Sequence, residues 1–121
     1  MSVWVWPAAT AIGGGGAVAR LLVDGAVGAR LGRDFPFGTL VVNVSGAVIL
    51  GILTGAVLSD DAALLAGTAA VGSYTTFSTW MFETQRLAEE RQYASAATNV
   101  VLSVLLGVAA AALGRWIGVR L

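Results

Sequence analysis

The chain has 121 residues, of which 57% are hydrophobic and 12% are charged, and its formal net charge is zero. Soluble domains usually carry about 25% charged residues, so this composition offers too little polar surface for a water-soluble fold. The sequence contains no Cys and no His, which excludes disulfides, zinc fingers, and thiol or imidazole catalysis. Its few cations form no basic patch that would predict binding to nucleic acid.

Charged residues divide the sequence into four uncharged stretches, each close to the roughly 20 residues that a membrane-spanning helix needs. We therefore predict an all-α membrane protein in which residues 1–121 form a single domain of four transmembrane helices. The first span is expected to continue past Arg20 to Val27, and no positively charged segment precedes it that would indicate a cleaved signal peptide. The four stretches are Met1–Ala19, Phe35–Ser59, Ala62–Phe82 and Gln92–Gly114.

The segment Glu83–Arg91 follows the third stretch and is expected to extend that helix into water. Its charges recur at helical spacing, which puts Arg86 within pairing distance of Glu83 and of Glu90.

The arginines outside the spans set only a weak preference for one orientation in the membrane. Since orientation follows a clear excess of positive charge on one side, this chain is able to insert both ways. The sequence therefore predicts an antiparallel, dual-topology homodimer, with a single orientation as the alternative. One predicted side carries Arg30, Arg33, Arg86 and Arg91, and the other carries Arg115 and Arg120.

Glycines are frequent, 16 in all, and they recur within two of the predicted spans. Gly46, Gly51 and Gly55 lie in the second span, and Gly107 and Gly114 lie in the fourth. Small residues let helix backbones approach closely inside a membrane, so we expect these positions to carry helix contacts.

Polar side chains within the first two spans need an explanation in a membrane. Arg20 and Asp24 are four residues apart near the end of the first span, where such a pair anchors the helix end at the interface. Attraction of an anion is the alternative role for Arg20. Asn43 lies within the second span, where its amide either donates to a transported anion or makes a hydrogen bond between helices.

The segment Gly72–Trp80 concentrates hydroxyl side chains and aromatic rings in the middle of the third span. Ser and Thr offer the backbone alternative hydrogen bonds and Gly weakens a helix, so the third helix is predicted to break at mid-span. Freed carbonyl oxygens suit a small cation such as Na⁺, while hydroxyls and the ring edges of Phe77 and Trp80 suit an anion. An ordinary packing face rich in Ser and Thr is the alternative.

Four blocks of the sequence resemble the Fluc/CrcB family of fluoride channels, and the resemblance covers essentially the whole chain. The blocks keep the order and spacing of that family, and the second and third together form a specific combination. They are Gly15–Arg20 (GGAVAR), Phe35–Asn43 (FPFGTLVVN) followed by Gly46, Gly72–Thr79 (GSYTTFST), and Glu83.

The resemblance implies a passive, fluoride-selective channel that exports fluoride across the plasma or inner membrane through two pores in an antiparallel homodimer. It also implies a structural Na⁺ at the dimer centre, held by the backbone carbonyls of Gly72 and Thr75 from each subunit. Fluoride, the lipid bilayer and a second copy of the chain are then the expected partners, and no enzyme activity is expected.

The resemblance also assigns a fluoride pathway by motif match. The chain departs from the family at Trp80, which stands where a second Phe is usual. In the fourth span Asn99 and Ser103 are the best placements for pore residues, and Gly107 stands one turn later, where a hydroxyl is expected. The other pathway residues are the amide of Asn43, the aromatic Phe77, the hydroxyls of Ser78 and Thr79, and the acid Glu83.

Two other classes of membrane protein are weighed against the channel. A small multidrug resistance transporter also has four helices, but it depends on a carboxylate in its first helix, and Met1–Ala19 contains none. A non-transporting membrane subunit would not need a polar, aromatic-rich break. A fluoride pore has to replace the water of a small, strongly hydrated ion with hydrogen-bond donors, which this segment supplies.

Overall fold

The computed structural model describes residues 2–121, and six α-helices and one π-helical stretch make up the regular structure within that range. No strand occurs among these residues, in agreement with the predicted all-α fold. The elements are α1 (Val5–Leu31), α2 (Phe37–Gly55), α3 (Asp60–Ala62), the π-helical stretch (Ala63–Val71), α4 (Gly72–Tyr74), α5 (Ser78–Glu89) and α6 (Tyr93–Gly118).

Several helix ends coincide with residues whose chemistry starts or stops a helix. α1 ends before Gly32, whose φ of +83° lies in the left-handed region that Gly tolerates. α2 begins directly after Pro36. Ser59 caps α3 by accepting a hydrogen bond from the Ala62 N–H at 3.3 Å, and Asp60 in the first turn complements the helix dipole.

Two helices of the described residues, α2 and α6, are long and apolar enough to cross a membrane, judged by length and composition. In the most apolar part of each helix, only 28% of the residues of α2 and 17% of those of α6 are buried inside the protein. The core helix of a soluble protein would be mostly buried. α1 carries Arg20 and Asp24 and runs to Leu31, beyond the predicted end at Val27. The third helical region is divided into shorter pieces, and the count of four spans stays a prediction.

The most extensive helix contact joins α2 to α6, and it depends on glycine. A Cβ added to Gly51 or Gly55 would overlap backbone atoms of α6, and one added to Gly114 or Gly118 would overlap those of α2. The two backbones therefore touch, as the glycine pattern predicts. Gly107 differs, because a Cβ there would meet nothing within 4 Å among residues 2–121, so a contact at Gly107 stays a prediction.

The helical run from α3 to α4 is interrupted before α5 begins. Thr75 has an extended backbone (φ −80°, ψ 161°), so the chain leaves the helix there. Hydroxyls compete for the carbonyls of the preceding turns, since Ser73 donates to Ala69 at 2.5 Å and Thr75 donates to Val71 at 3.1 Å. The interruption falls within the segment that the sequence predicts to break, and its depth in a membrane stays a prediction.

The most completely buried side chains come from three different helices. Val42 of α2 and Leu87 of α5 are fully buried, and Asn99 of α6 is almost fully buried. α1 covers α2, the π-helical stretch and α4, while α4 and α5 both contact α2. The two sides of the interruption are therefore held against the same helix, α2.

Candidate functional site

Asn43 of α2 holds the backbone of Thr76 with both ends of its amide. Its Nδ2 donates to the Thr76 carbonyl at 2.8 Å, and its Oδ1 accepts from the Thr76 N–H at 2.8 Å. Asn43 therefore joins α2 to the non-helical residue Thr76 between α4 and α5, and not to a second helix. Because an amide NH₂ carries two hydrogens, the bond to Thr76 uses one and leaves the other for a further acceptor.

Two N–H groups that would complete a continuous helix donate elsewhere. In an α-helix the Thr76 N–H would donate to the Gly72 carbonyl, and the Thr79 N–H to the Thr75 carbonyl. Here the Thr76 N–H donates to Asn43, and the Thr79 N–H donates to Thr76 Oγ1 at 3.2 Å. The carbonyls of Gly72 and Thr75 therefore lose their helical donors, and both residues line one open cavity of about 360 Å³.

The cavity lined by Gly72 and Thr75 has an aromatic wall. We call it the larger cavity, to distinguish it from a smaller one beside α1. Phe77 and Trp80 line it with their ring centroids 5.6 Å apart and their planes at 81°. Such an edge-to-face pair turns the positive edge of one ring toward the face of the other. Phe77 is 70% exposed, so a single chain does not cover its ring. Five predicted site residues share the larger cavity, namely Asn43, Gly72, Thr75, Phe77 and Trp80.

A smaller cavity of about 130 Å³ lies between α1, α2 and the beginning of α5. Arg20, Thr39 and Thr79 line it, together with Asp24 and Thr76. The cavity wall thus combines the guanidinium of Arg20 with hydroxyl groups and the carboxylate of Asp24. Of the predicted residues, Arg20 and Thr79 meet here.

Asp24 pairs with Arg33, and the predicted pair between Arg20 and Asp24 is wrong. Arg33 Nη1 donates to both carboxylate oxygens of Asp24 at 3.1 Å. Arg33 reaches back over α1 because Gly28 has no side chain, and a Cβ there would overlap the guanidinium. The anchor at this end of α1 therefore comes from the loop that follows the helix.

Glu83 accepts a short hydrogen bond from Thr39, which joins α5 to α2. Its predicted partner Arg86 instead pairs with Glu90 at 3.3 Å, the second of the two pairings expected from helical spacing. Sequence reasoning did not single out Thr39, although a signal was available. Thr39 stands four residues before Asn43 and therefore shares its face of α2.

The predicted α6 residues lie against α5 or within the protein. Asn99 accepts from Trp80 Nε1 through its backbone carbonyl at 3.1 Å and donates from Nδ2 to Thr84 Oγ1 at 2.9 Å. Ser103 Oγ is buried and has no hydrogen-bond partner within residues 2–121. Ser78, the first residue of α5, is exposed. Neither serine lines the larger cavity.

Comparison with known proteins matches residues 8–115 to the family described as CrcB-like protein, Camphor Resistance (CrcB). Fluoride-specific ion channel FluC 2 of Mycobacterium tuberculosis (strain ATCC 25618 / H37Rv) is 60% identical over 117 residues, which cover 97% of this chain and 93% of that protein. Fluoride-specific ion channel FluC 2 of Mycolicibacterium paratuberculosis is 62% identical over 114 residues, covering 94% and 93%. Fluoride-specific ion channel FluC 1 of Leifsonia xyli subsp. xyli is 44% identical over 115 residues, covering 91% and 84%.

These relatives carry the names of ion channels and not of enzymes, which agrees with the expectation that no enzyme activity is present. The family match also confirms the resemblance that the four sequence blocks predicted. Because the match extends over residues 8–115 and the relatives align along nearly their whole length, the chain belongs to the CrcB family.

Proposed function

We propose that this protein is a passive, fluoride-selective channel that exports fluoride across the plasma or inner membrane. The observation that carries the proposal is the convergence of Asn43, Phe77 and Trp80 on one open cavity beside the helix interruption. An amide and aromatic edges, with no charged side chain in the cavity wall, suit a small and strongly hydrated anion. Family relatives named fluoride-specific ion channels support fluoride as that anion.

The family and the apolar helices α2 and α6 identify a membrane protein. We extend this to four spans, formed by α1, α2, the interrupted third region with α5, and α6. The arginines at the two ends of the bundle are nearly balanced, which supports insertion in both orientations.

A second, antiparallel copy of the chain is proposed to close the larger cavity. The open side of the cavity supports this, because the released carbonyls of Gly72 and Thr75 would otherwise face lipid without hydrogen-bond partners. Two copies related by a two-fold axis would contain two pathways, one for each Phe77. The same axis would bring two sets of released carbonyls together.

The fluoride pathway is proposed to continue from the larger cavity along α5 and α6. Ser103 supports this route, because a buried hydroxyl without a partner has its donor available to an ion. Arg20 would draw anions toward the smaller cavity, where the Thr79 hydroxyl is exposed to them. The complete set of pathway residues is Asn43, Phe77, Ser78, Thr79, Trp80, Glu83, Asn99 and Ser103.

A structural Na⁺ at the dimer centre fits the donor set beside the interruption. The carbonyls of Gly72 and Thr75 are neutral oxygens whose helical donors point elsewhere, and hard cations such as Na⁺ prefer oxygen ligands. Residues 2–121 contain no group of three or more His, Cys, Asp or Glu that could hold a metal. When bound, the ion would neutralise carbonyl dipoles from both copies and tie the subunits together.

Transport by purified protein tests the central proposal. Liposomes that contain the protein should release fluoride down its gradient, with chloride release at least about a hundredfold slower, as expected if a donor-lined path favours the smaller ion by a few kcal/mol. Protein-free liposomes provide the control. Equal rates for both ions would contradict selectivity, and a strict requirement for a proton gradient would indicate a transporter instead.

Accessibility of the termini tests the antiparallel arrangement. A tag at the C-terminus should be labelled by impermeant reagents from either side of the membrane, in about equal parts, if the two orientations are inserted equally. Labelling from one side only would contradict dual topology while leaving fluoride transport untouched.

Two substitutions test the sodium site. Thr75→Ala should preserve Na⁺-dependent dimer formation, because the ligand is the backbone carbonyl and the side chain only donates to Val71. Gly72→Val should weaken it, because a β-branched side chain stiffens the backbone beside the released carbonyl. Gly25→Val is the matched control, since a Cβ at Gly25 meets nothing within 4 Å and Gly25 lies outside the proposed pathway. Dimer fraction would be measured in sodium and in N-methylglucamine buffers, and independence from sodium would rule the site out.

A further inference from the structure

We propose that Thr84 is a positioning residue that sets the orientation of the Trp80 ring by holding Asn99. The inference rests on the proposed fluoride pathway, in which Trp80 is one of two aromatic walls. Thr84 itself does not line the larger cavity, so it acts through other residues.

Three hydrogen bonds join Trp80, Thr84 and Asn99 into a closed circuit between α5 and α6. The Thr84 hydroxyl donates to the Trp80 carbonyl at 2.9 Å. Asn99 Nδ2 donates to the Thr84 oxygen at 2.9 Å. The circuit closes where Trp80 Nε1 donates to the Asn99 carbonyl at 3.1 Å.

The direction of each bond in the circuit follows from the chemistry of Thr84. A hydroxyl has one hydrogen, and the carbonyl of Trp80 can only accept, so that hydrogen is committed to Trp80. The oxygen of Thr84 must then accept from Asn99, which requires the NH₂ end of the amide to face it. Thr84 therefore decides which way the Asn99 amide points.

The burial of Asn99 makes the hydrogen bonds of this circuit costly to break. Asn99 is 1% exposed, so an Nδ2 group that lost Thr84 would have little access to water in compensation. The Asn99 carbonyl has two lone pairs and can accept from the indole while remaining in the α6 helix. Thr84 holds the Asn99 side chain and with it this turn of α6. A shift of that turn would displace the Asn99 carbonyl, which is the acceptor that fixes the Trp80 ring.

The indole N–H is what makes the Trp80 ring sensitive to the circuit. Trp has one ring donor, which bonds to the Asn99 carbonyl, whereas a Phe ring has none, so the orientation of a Phe ring here would not depend on the position of that carbonyl. Rotation of Trp80 would also break its edge-to-face contact with Phe77, whose ring centroid lies 5.6 Å away. Thr84 thereby controls the shape of the aromatic wall.

The test compares Thr84→Val with Thr84→Ser in the full-length protein. Val keeps the shape of Thr but can neither donate nor accept, whereas Ser keeps the hydroxyl. Fluoride efflux from liposomes should fall about three- to tenfold in Thr84→Val, the change expected for about one net hydrogen bond. Thr84→Ser should restore most of the wild-type rate.

A spectroscopic measurement separates positioning from a general loss of structure. The protein would be labelled with 5-fluorotryptophan at its four Trp residues, and the Trp80 line would be assigned by its disappearance in Trp80→Phe. In Thr84→Val the ¹⁹F line of Trp80 should shift or broaden, while those of Trp4, Trp6 and Trp116 stay in place. Thr84→Ser should leave all four lines unchanged.

Epistasis completes the test. In a Trp80→Phe background, Thr84→Val should cause no further loss of fluoride efflux, because the ring donor is already gone. An unmoved Trp80 line, or an equal loss of efflux with and without the indole, would overturn the inference. If the wild-type protein passed no fluoride at all, the proposed function would fail instead, and the ¹⁹F lines would still decide whether Thr84 orients Trp80.

Discussion

The contact between α2 and α6 and the interruption between α4 and α5 use small and polar residues for opposite purposes. At the first, Gly51 and Gly114 have no side chains, so the two helix backbones touch. At the second, Asn43 takes up the N–H of Thr76, so backbone oxygens and the Phe77 ring face an open cavity. The first region packs tightly within one copy of the chain, whereas the second leaves an open cavity of about 360 Å³.

Substitutions in the contact between α2 and α6 should change stability, whereas substitutions at the interruption should change transport. A close backbone contact has no room for added atoms, so changes there should impair folding before any effect on transport is measurable. The interruption is open and polar, so changes there should leave a folded protein with altered ion passage. Four substitutions test this division, and they are given in order of decreasing effect.

The largest effect is expected for Gly114→Val in the contact between α2 and α6. The new side chain would overlap the Val48 backbone and push the helices apart, at a cost of about 3 kcal/mol or more in the free energy of unfolding. Gly107→Val, on the same helix with open space around it, is the control. Unfolding in a detergent titration would measure both, and equal stability of the two variants would contradict a backbone contact.

Asn43→Asp should reduce fluoride efflux at least about tenfold, because a half-buried donor to the Thr76 carbonyl is lost and a carboxylate faces that carbonyl instead. The acceptor for the Thr76 N–H is retained, so the protein should still fold. Ser45→Ala is the control on the same helix, since it removes a polar contact to Tyr74 away from the larger cavity. Normal efflux in Asn43→Asp would remove Asn43 from the pathway.

Phe77→Ile should lower fluoride efflux about five- to tenfold, since it removes a ring edge worth about 1 kcal/mol of interaction and little volume. Phe82→Ile is a closely matched control, because both rings are 70% exposed but only Phe77 lines the larger cavity. Efflux of both variants in parallel gives the comparison. Equal losses would mean that exposed aromatic area, and not the cavity wall, matters.

The smallest effect is expected for Arg33→Gln, which removes the ion pair with Asp24 at the end of α1. The Arg33 side chain is 61% exposed, so the pair should contribute less than about 1 kcal/mol to stability. Detergent unfolding at low and high salt would measure it, with the difference between wild type and variant shrinking at high salt. A loss as large as that of Gly114→Val would show that charge at this end matters more than backbone packing.

Sequence reasoning succeeded where neighbours along a helix decide the outcome. The pairing of Arg86 with Glu90 and the glycine contacts of α2 follow from helical spacing and side-chain size alone. The predicted ion pair between Arg20 and Asp24 was wrong. Asp24 pairs with Arg33, which lies in the loop after α1, and helical spacing does not predict the path of that loop. Sequence reasoning also missed Thr84, whose role depends on which face of α6 lies opposite α5.

From the amino-acid sequence alone one can predict an all-helical chain with apolar stretches, a polar and aromatic segment in the third of them, and membership in the CrcB family. Those properties follow from composition, periodicity and local motifs, which are written along the chain. The hydrogen bonds from Asn43 to Thr76, and from Asn99 to Thr84 and Trp80, are known only from the packed helices. Such bonds join residues far apart in sequence, and they depend on how the helices are rotated and aligned against one another, which local spacing does not specify.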